Sequence, residues 1–195
     1  MLRLPTDHPR SNRAPLFKTI DRVGGRPLRA GEEDVRVLHE IAGRDEFAAL
    51  VIRTDYGDSA SWQALVRKLT QPWGERGQFH AQVHLIDDPV WAEATPDEVI
   101  AAVRRDESLS VVFMADRVTM QSSDRALLTC DVRAEDEDLD PMYYQELIDT
   151  RPPREFRSAP GAVHGVHANL SIANMDFEEF AEIASADPVG VLRPL

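Results

Sequence analysis

Apolar residues in this chain come in short runs that stop at aspartate. Four segments share the form: Leu50-Val51-Ile52-Arg53-Thr54-Asp55, Val83-His84-Leu85-Ile86-Asp87-Asp88, Val111-Val112-Phe113-Met114-Ala115-Asp116 and Leu127-Leu128-Thr129-Cys130-Asp131. Short apolar runs bounded by turn formers have the length of strands. Strands are therefore predicted over 48–54, 79–86, 111–115 and 127–132, with an edge strand over 155–158. Between the runs, apolar positions recur at helical spacing. Trp62, Leu65, Val66 and Leu69 form a stripe that starts after Asp58-Ser59, either of which serves as N-cap, and stops before Pro72 and Gly74. Thr95-Pro96-Asp97-Glu98 is a helix start with Thr95 as cap, Pro96 first and Glu98 closing a capping box; Val99, Ile100 and Val103 supply its buried face. A last helix is predicted from Asp176, with Glu179 three residues on and Phe177, Phe180, Ile183 and Ala184 against the sheet.

A helix over 31–42 precedes the first strand, so helices and strands alternate. That order predicts an α/β fold: an open, mostly parallel central sheet with flanking helices. The run at 111–115 is continuously apolar, which predicts cover on both faces. The link from Asp116 to Ala126 is short. The third and fourth strands are thus either antiparallel neighbours, giving an antiparallel edge, or joined by a short crossover. Residues 1–30 read as an arm broken by Pro5, Pro9, Pro15, Pro27 and Gly24-Gly25, with a short hairpin around Phe17–Leu28 as one arrangement. The division is a basic arm plus short helix over 1–45 and a single α/β domain over 46–195. An acidic run over 135–140 reads as a solvated loop, followed by a short helix over 141–148.

Charge sharpens the division. The net charge is −12, yet residues 1–30 hold seven Arg or Lys and two Asp, giving +5 and leaving −17 on the other 165 residues. So acidic a body repels phosphate backbones, which argues against nucleic acid, and favours basic protein partners by steering them. No run approaches the ~18 apolar residues of a membrane span, and charge and proline stand where a signal peptide needs an apolar stretch. The single cysteine, Cys130, lies within an apolar run; it reads as a buried structural thiol, and a cytoplasmic location is expected.

Several blocks resemble an uncharacterised actinobacterial family, a domain of unknown function in small α/β proteins. They are Ile52-Arg53-Thr54-Asp55, Ile86-Asp87-Asp88-Pro89, Ala115-Asp116-Arg117-Val118 and, the most specific, Asn169-Leu170-Ser171-Ile172-Ala173-Asn174-Met175-Asp176-Phe177-Glu178-Glu179-Phe180. The resemblance covers about residues 48–192. The Gly161–Gly165 approach to the last block departs from it, where a bulkier aromatic-containing segment is expected. The resemblance implies no activity and transfers no catalytic residue.

The carboxyl ends of strands in an open α/β sheet border the ligand crevice. Asp55, Asp87, Asp88 and Asp116, with Asp131 a further member, are therefore the candidate acidic edge. Converging carboxylates of this kind hold Mg²⁺, as in receiver domains and phosphotransfer enzymes. Two other parts of such sites are missing: the only lysines are Lys18 and Lys68, and no Gly-rich loop follows the first strand. Aspartate also ends strands because it caps helices and makes turns. Asn169, Ser171 and Asn174 form a candidate recognition loop at the entry to the last helix, or a buried turn that fixes it. His80 and His84 share a strand face ~13 Å apart, too far for one metal; His164 and His167 flank a Gly-containing turn and lack a third ligand.

The leading expectation is a non-enzymatic binding protein whose acidic body receives a basic protein partner, an immunity-type protein being one version. No cofactor and no metal is expected. The alternative is a Mg-dependent phosphotransfer enzyme or receiver-like signalling domain built on the acidic edge. A third is an assembly role for the arm.

Overall fold

A computed structural model of the chain describes residues 43–72, 76–133 and 152–194. The arm, the helix expected over 31–42, the acidic run and the helix expected over 141–148 lie outside the described residues. In chain order the elements are β1 (Ala49–Arg53), α1 (Ser59–Leu69), β2 (Val83–Ile86), α2 (Pro96–Val103), β3 (Val111–Ala115), α3 (Arg117–Gln121), β4 (Leu127–Asp131), β5 (Glu155–Ser158), α4 (Val163–Ser171), α5 (Phe177–Ala186) and β6 (Val191–Leu192). Short 3₁₀ turns span Pro89–Trp91 and Pro160–Ala162.

The strands form one open mixed sheet in the order β2-β1-β3-β4-β5-β6. β1 pairs in parallel with β2 and β3, and β5 with β6; β3–β4 and β4–β5 are antiparallel. The short Asp116–Ala126 link thus makes β3 and β4 antiparallel neighbours, with α3 as a single short helix inside it. β5 is not the edge strand expected from the sequence. Val191 and Leu192 pair with Arg157 and Ser158 and cover its outer side. Two residues after Gly190, which turns at φ 71°, are too few to show a strand period. The strand expected over 79–86 starts only at Val83; Phe79 is exposed and His80 precedes the strand.

Side chains alternate between two cores, as a pleated strand requires. Ala49, Val51, Val111, Phe113 and Ala115 meet α1, α4 and α5 on one face. Leu50, Ile52, Val112 and Met114 meet α2, Trp91 and Leu109 on the other. Every residue of β1 and β3 is buried, which is the two-faced cover that the continuous apolar run predicts.

The helix starts follow local chemistry. Asp58 caps α1 by accepting from the N–H groups of Ala60 and Ser61. Thr95 and Glu98 form the expected capping box on α2, and Asp176 and Glu179 form one on α5. On α5 the buried arc is Phe177, Phe180, Ala181 and Ala184, with Phe156 of β5 against both phenylalanines at 4.9 and 6.5 Å between ring centres. Ile183, expected inward, is exposed, because an arc at i, i+3, i+4 and i+7 from Phe177 leaves it on the flank. Among the described residues no helix is long and apolar enough to cross a membrane.

Candidate functional site

The connection order creates a crevice. From β1 the chain crosses through α1 to β2 on one side; from β2 it crosses through α2, on the opposite face, to β3 on the other side. The carboxyl ends of β1 and β3 therefore border the point where the winding reverses, which is where open α/β sheets accept ligands. Two hollows, of about 570 and 840 Å³, lie there and share Asp55, Gly57, Glu93 and Arg117 in their walls. The first also meets Thr54 and Asp116, the second Asp58, Ser61 and Arg125. Glu93 and Arg125 both hold left-handed backbone, at φ 58° and 55°. For non-glycine residues this costs about 1–3 kcal/mol each. The Glu93 N–H, donating to the Thr54 carbonyl at 2.8 Å, pins one of them to the end of β1.

The acidic edge residues reach this rim but are used differently. Asp116 caps α3, accepting from the Thr119 N–H and hydroxyl, both at 2.9 Å, and holds Arg157 through two hydrogen bonds of 2.8 and 2.7 Å. Burial pushes its carboxyl up, but Arg157 and Thr119 outweigh burial, and the group lies below the usual carboxylate range. Asp87 accepts from Arg53 at 3.1 Å and from the Trp62 indole N–H at 2.8 Å. Asp88 caps the Pro89–Trp91 turn through the Val90 N–H. Asp55 accepts from the Gly57 N–H at 2.7 Å. Asp131 lies at the opposite end of the sheet, because β4 runs against β3, and is paired with Arg133. Asp58, bound by the Ser61 hydroxyl and backbone, is held below the usual range. Among the described residues no group of three or more His, Cys, Asp or Glu is placed to hold a metal ion.

Arginines complete the site, and sequence reading missed them. Arg53 is 5% exposed although it ends an apolar strand. Its Nε–H donates to the Asp55 carbonyl, one Nη to Asp87, and its plane lies over Tyr56 at 4.3 Å and Trp62 at 5.4 Å from the ring centres. The second Nη bonds no acceptor; contact with two aromatic faces is what accommodates it. Arg53 and Arg157 thus pair with Asp87, itself still 45% exposed, and Asp116, while Asp55, Asp58, Asp88 and Glu93 make no ion pair among the described residues. Arg117 and Arg125 alternate with these carboxylates, so the rim is mixed in charge. Val90 and Val118, each just past a strand end on the same edge, are both 54% exposed.

A second buried cation lies elsewhere. The Arg44 side chain, 1% exposed, donates to the carbonyls of Asp45, Glu46 and Ala48 and to Asp106 at 3.1 Å. Asp106 is raised by burial and lowered further by Ser108 and Arg44. His167 is buried near this pair; burial, then the Arg44 charge, lowers its pKa below the usual histidine value. Cys130 is buried on β4 with its thiol pushed up to about 12, mainly by burial.

The expected recognition loop is a helix end. Asn169 and Ser171 lie on α4, and only Asn174 lies beyond it. Asn169 donates to the Gly165 carbonyl and accepts from Asn174, and the Ser171 hydroxyl donates to the His167 carbonyl. His164 and His167 likewise sit on this helix, not around a turn. Gly165 and the lack of a side-chain cap hide α4 in the sequence. Asn169 and His164 line a groove of about 430 Å³ between α4, the end of α1 and the segment after β6.

No curated protein matches this chain. Residues 48–195, which carry the whole sheet and its rim, match the family described as Domain of unknown function (DUF6924), and the chain belongs to that family.

Proposed function

We propose that this chain is a non-enzymatic binding protein that receives a basic protein partner on the rim at the carboxyl ends of β1, β2 and β3. The observation that carries this reading is how the carboxylates are held. Asp87 and Asp116 are tied to Arg53 and Arg157, and Asp55, Asp58 and Asp88 are each oriented by backbone N–H groups. Carboxylates fixed in this way suit a preformed docking surface more than a converging cage. Val90 and Val118 supply exposed apolar contact beside the acidic groups, the mixture that interfaces use. The interspersed Arg117 and Arg125 would set the register of the partner through repulsion of its wrong orientations. An immunity-type inhibitor of a basic toxin is the version we favour. The excess of arginine over lysine supports an actinobacterial source, and the single, buried, unbridged Cys130 supports a cytoplasmic location.

The test is capture from the native host with wild type and with the double variant Asp55→Lys/Glu93→Lys. A basic protein retained by wild type, released as salt rises and lost by the variant supports the reading. Capture that survives charge reversal overturns it. A Mg²⁺-dependent rise in melting temperature, abolished by Asp55→Asn, would overturn it in favour of the phosphotransfer alternative; a site with Kd a hundredfold below the free ion adds about 2.7 kcal/mol.

A further inference from the structure

We propose that the groove beside α4 binds a small amphipathic carboxylate, an acyl or aryl acid, with its apolar part on the groove floor and its carboxylate at Lys68. This goes beyond the docking rim, with which the groove shares no lining residue. Its volume of about 430 Å³ lies within the ~300–1,000 Å³ of small-molecule sites. The apolar surface open to a ligand is that of Pro72, Ala81 and Pro194, and behind it the buried Leu69, Val166, Phe180 and Leu192 come from four separate elements and hold the floor in shape. A floor built this way exists before any ligand arrives, so binding need not order it.

Two features bear on what the groove takes. At Gly165, an exposed lining residue of α4, a Cβ would meet no atom within 4 Å, so a long side chain placed there has open space to extend along the groove wall. The second is charge. On a chain of net charge −12, none of the described lining residues is Asp or Glu. Lys68, in the last turn of α1, stands at one lip and makes no ion pair among the described residues. Arg193 at another is already bound to Asp187 at 3.1 Å, so of the Lys and Arg among the described lining residues Lys68 is the one without an ion pair. A compact ammonium beside an apolar floor selects an anionic head on an apolar body. A neutral or cationic amphiphile would use the floor and lose the head contact.

Calorimetric titration of the full chain with octanoate, 2-naphthoate and octylamine tests this. Saturable binding of at least one of the two acids is expected, with octylamine at least tenfold weaker. Lys68→Glu should weaken the acid at least tenfold and remove its advantage over the amine. Gly165→Leu should abolish binding, while its melting temperature stays at or above that of wild type, since a glycine leaves the helix. Absence of saturable binding by both acids, equal affinity for acid and amine, or an unchanged affinity in folded Gly165→Leu overturns the proposal. Should Gly165→Leu fail to fold, Lys68→Glu, at an exposed helix end, decides alone.

Discussion

Replacing Asp116 with asparagine tests whether the rim carboxylates are scaffold before they are surface. The side chain keeps its shape, and its remaining oxygen still accepts from the Thr119 N–H, so the cap on α3 largely survives. What disappears is the charge opposite Arg157, whose two hydrogen bonds to Asp116 measure 2.8 and 2.7 Å. Removing one partner of a fully buried pair costs about 3–5 kcal/mol, and an exposed pair is worth about 0–1. Both side chains are 23% exposed, so solvent screens part of the loss and Asp116→Asn should cost about 2–3 kcal/mol. In a domain of this size that lowers the melting temperature by roughly 5–10 °C. Urea unfolding with an unchanged slope is the assay. The double variant Asp116→Asn/Arg157→Met should be more stable than the single one, because the stranded guanidinium is gone. Asp55→Asn, which touches only the Gly57 N–H, is the control and should cost less than about 0.5 kcal/mol. The folded pKa of Asp116 is lowered, so its contribution is complete above the unfolded value of about 3.9 and vanishes as pH falls through the folded value. The gap between wild type and Asp116→Asn should therefore close in acid. A single variant within 0.5 kcal/mol of wild type at pH 7 would show that Arg157 does not depend on Asp116 and would refute the reasoning.

Two more outcomes follow from the cores. Phe177→Ala and Phe180→Ala each remove a fully buried ring that packs against Phe156 and should cost about 3–5 kcal/mol; wild-type melting of the double variant would mean that α5 is not docked. His167, buried near Arg44 and His164 with a lowered folded pKa, stabilises the neutral form, so stability should fall as pH drops below the unfolded value of about 6.5. Melting temperatures at pH 7.5 and 5.5 should show this fall in wild type and a smaller one in His167→Leu, whereas equal falls would assign the pH dependence to other groups.

Much of the architecture is written in short stretches of the chain. The continuous run Val111–Ala115, the Thr95/Glu98 box, the Asp58 cap and the Asp176/Glu179 box each close within a few residues, so the hydrogen bonds that define them show as local spacing. The same locality hides the site. Arg53 meets Asp87 across 34 residues, Asp116 meets Arg157 across 41, and Arg44 meets Asp106 across 62. An ion pair formed across that distance has no periodicity, and a buried arginine looks in sequence like an exposed one. The aspartates at the strand ends were legible as a group. Which of them are paired with arginine, and which are not, depended on where β5 and the end of β2 came to lie. Helix α4 and strand β6 escaped notice for a related reason. One contains a glycine and no side-chain cap, and the other is two residues long, so neither stands on its own sequence pattern. Both take their structure from the neighbours they pack against, and the groove between them exists only once those neighbours are in place.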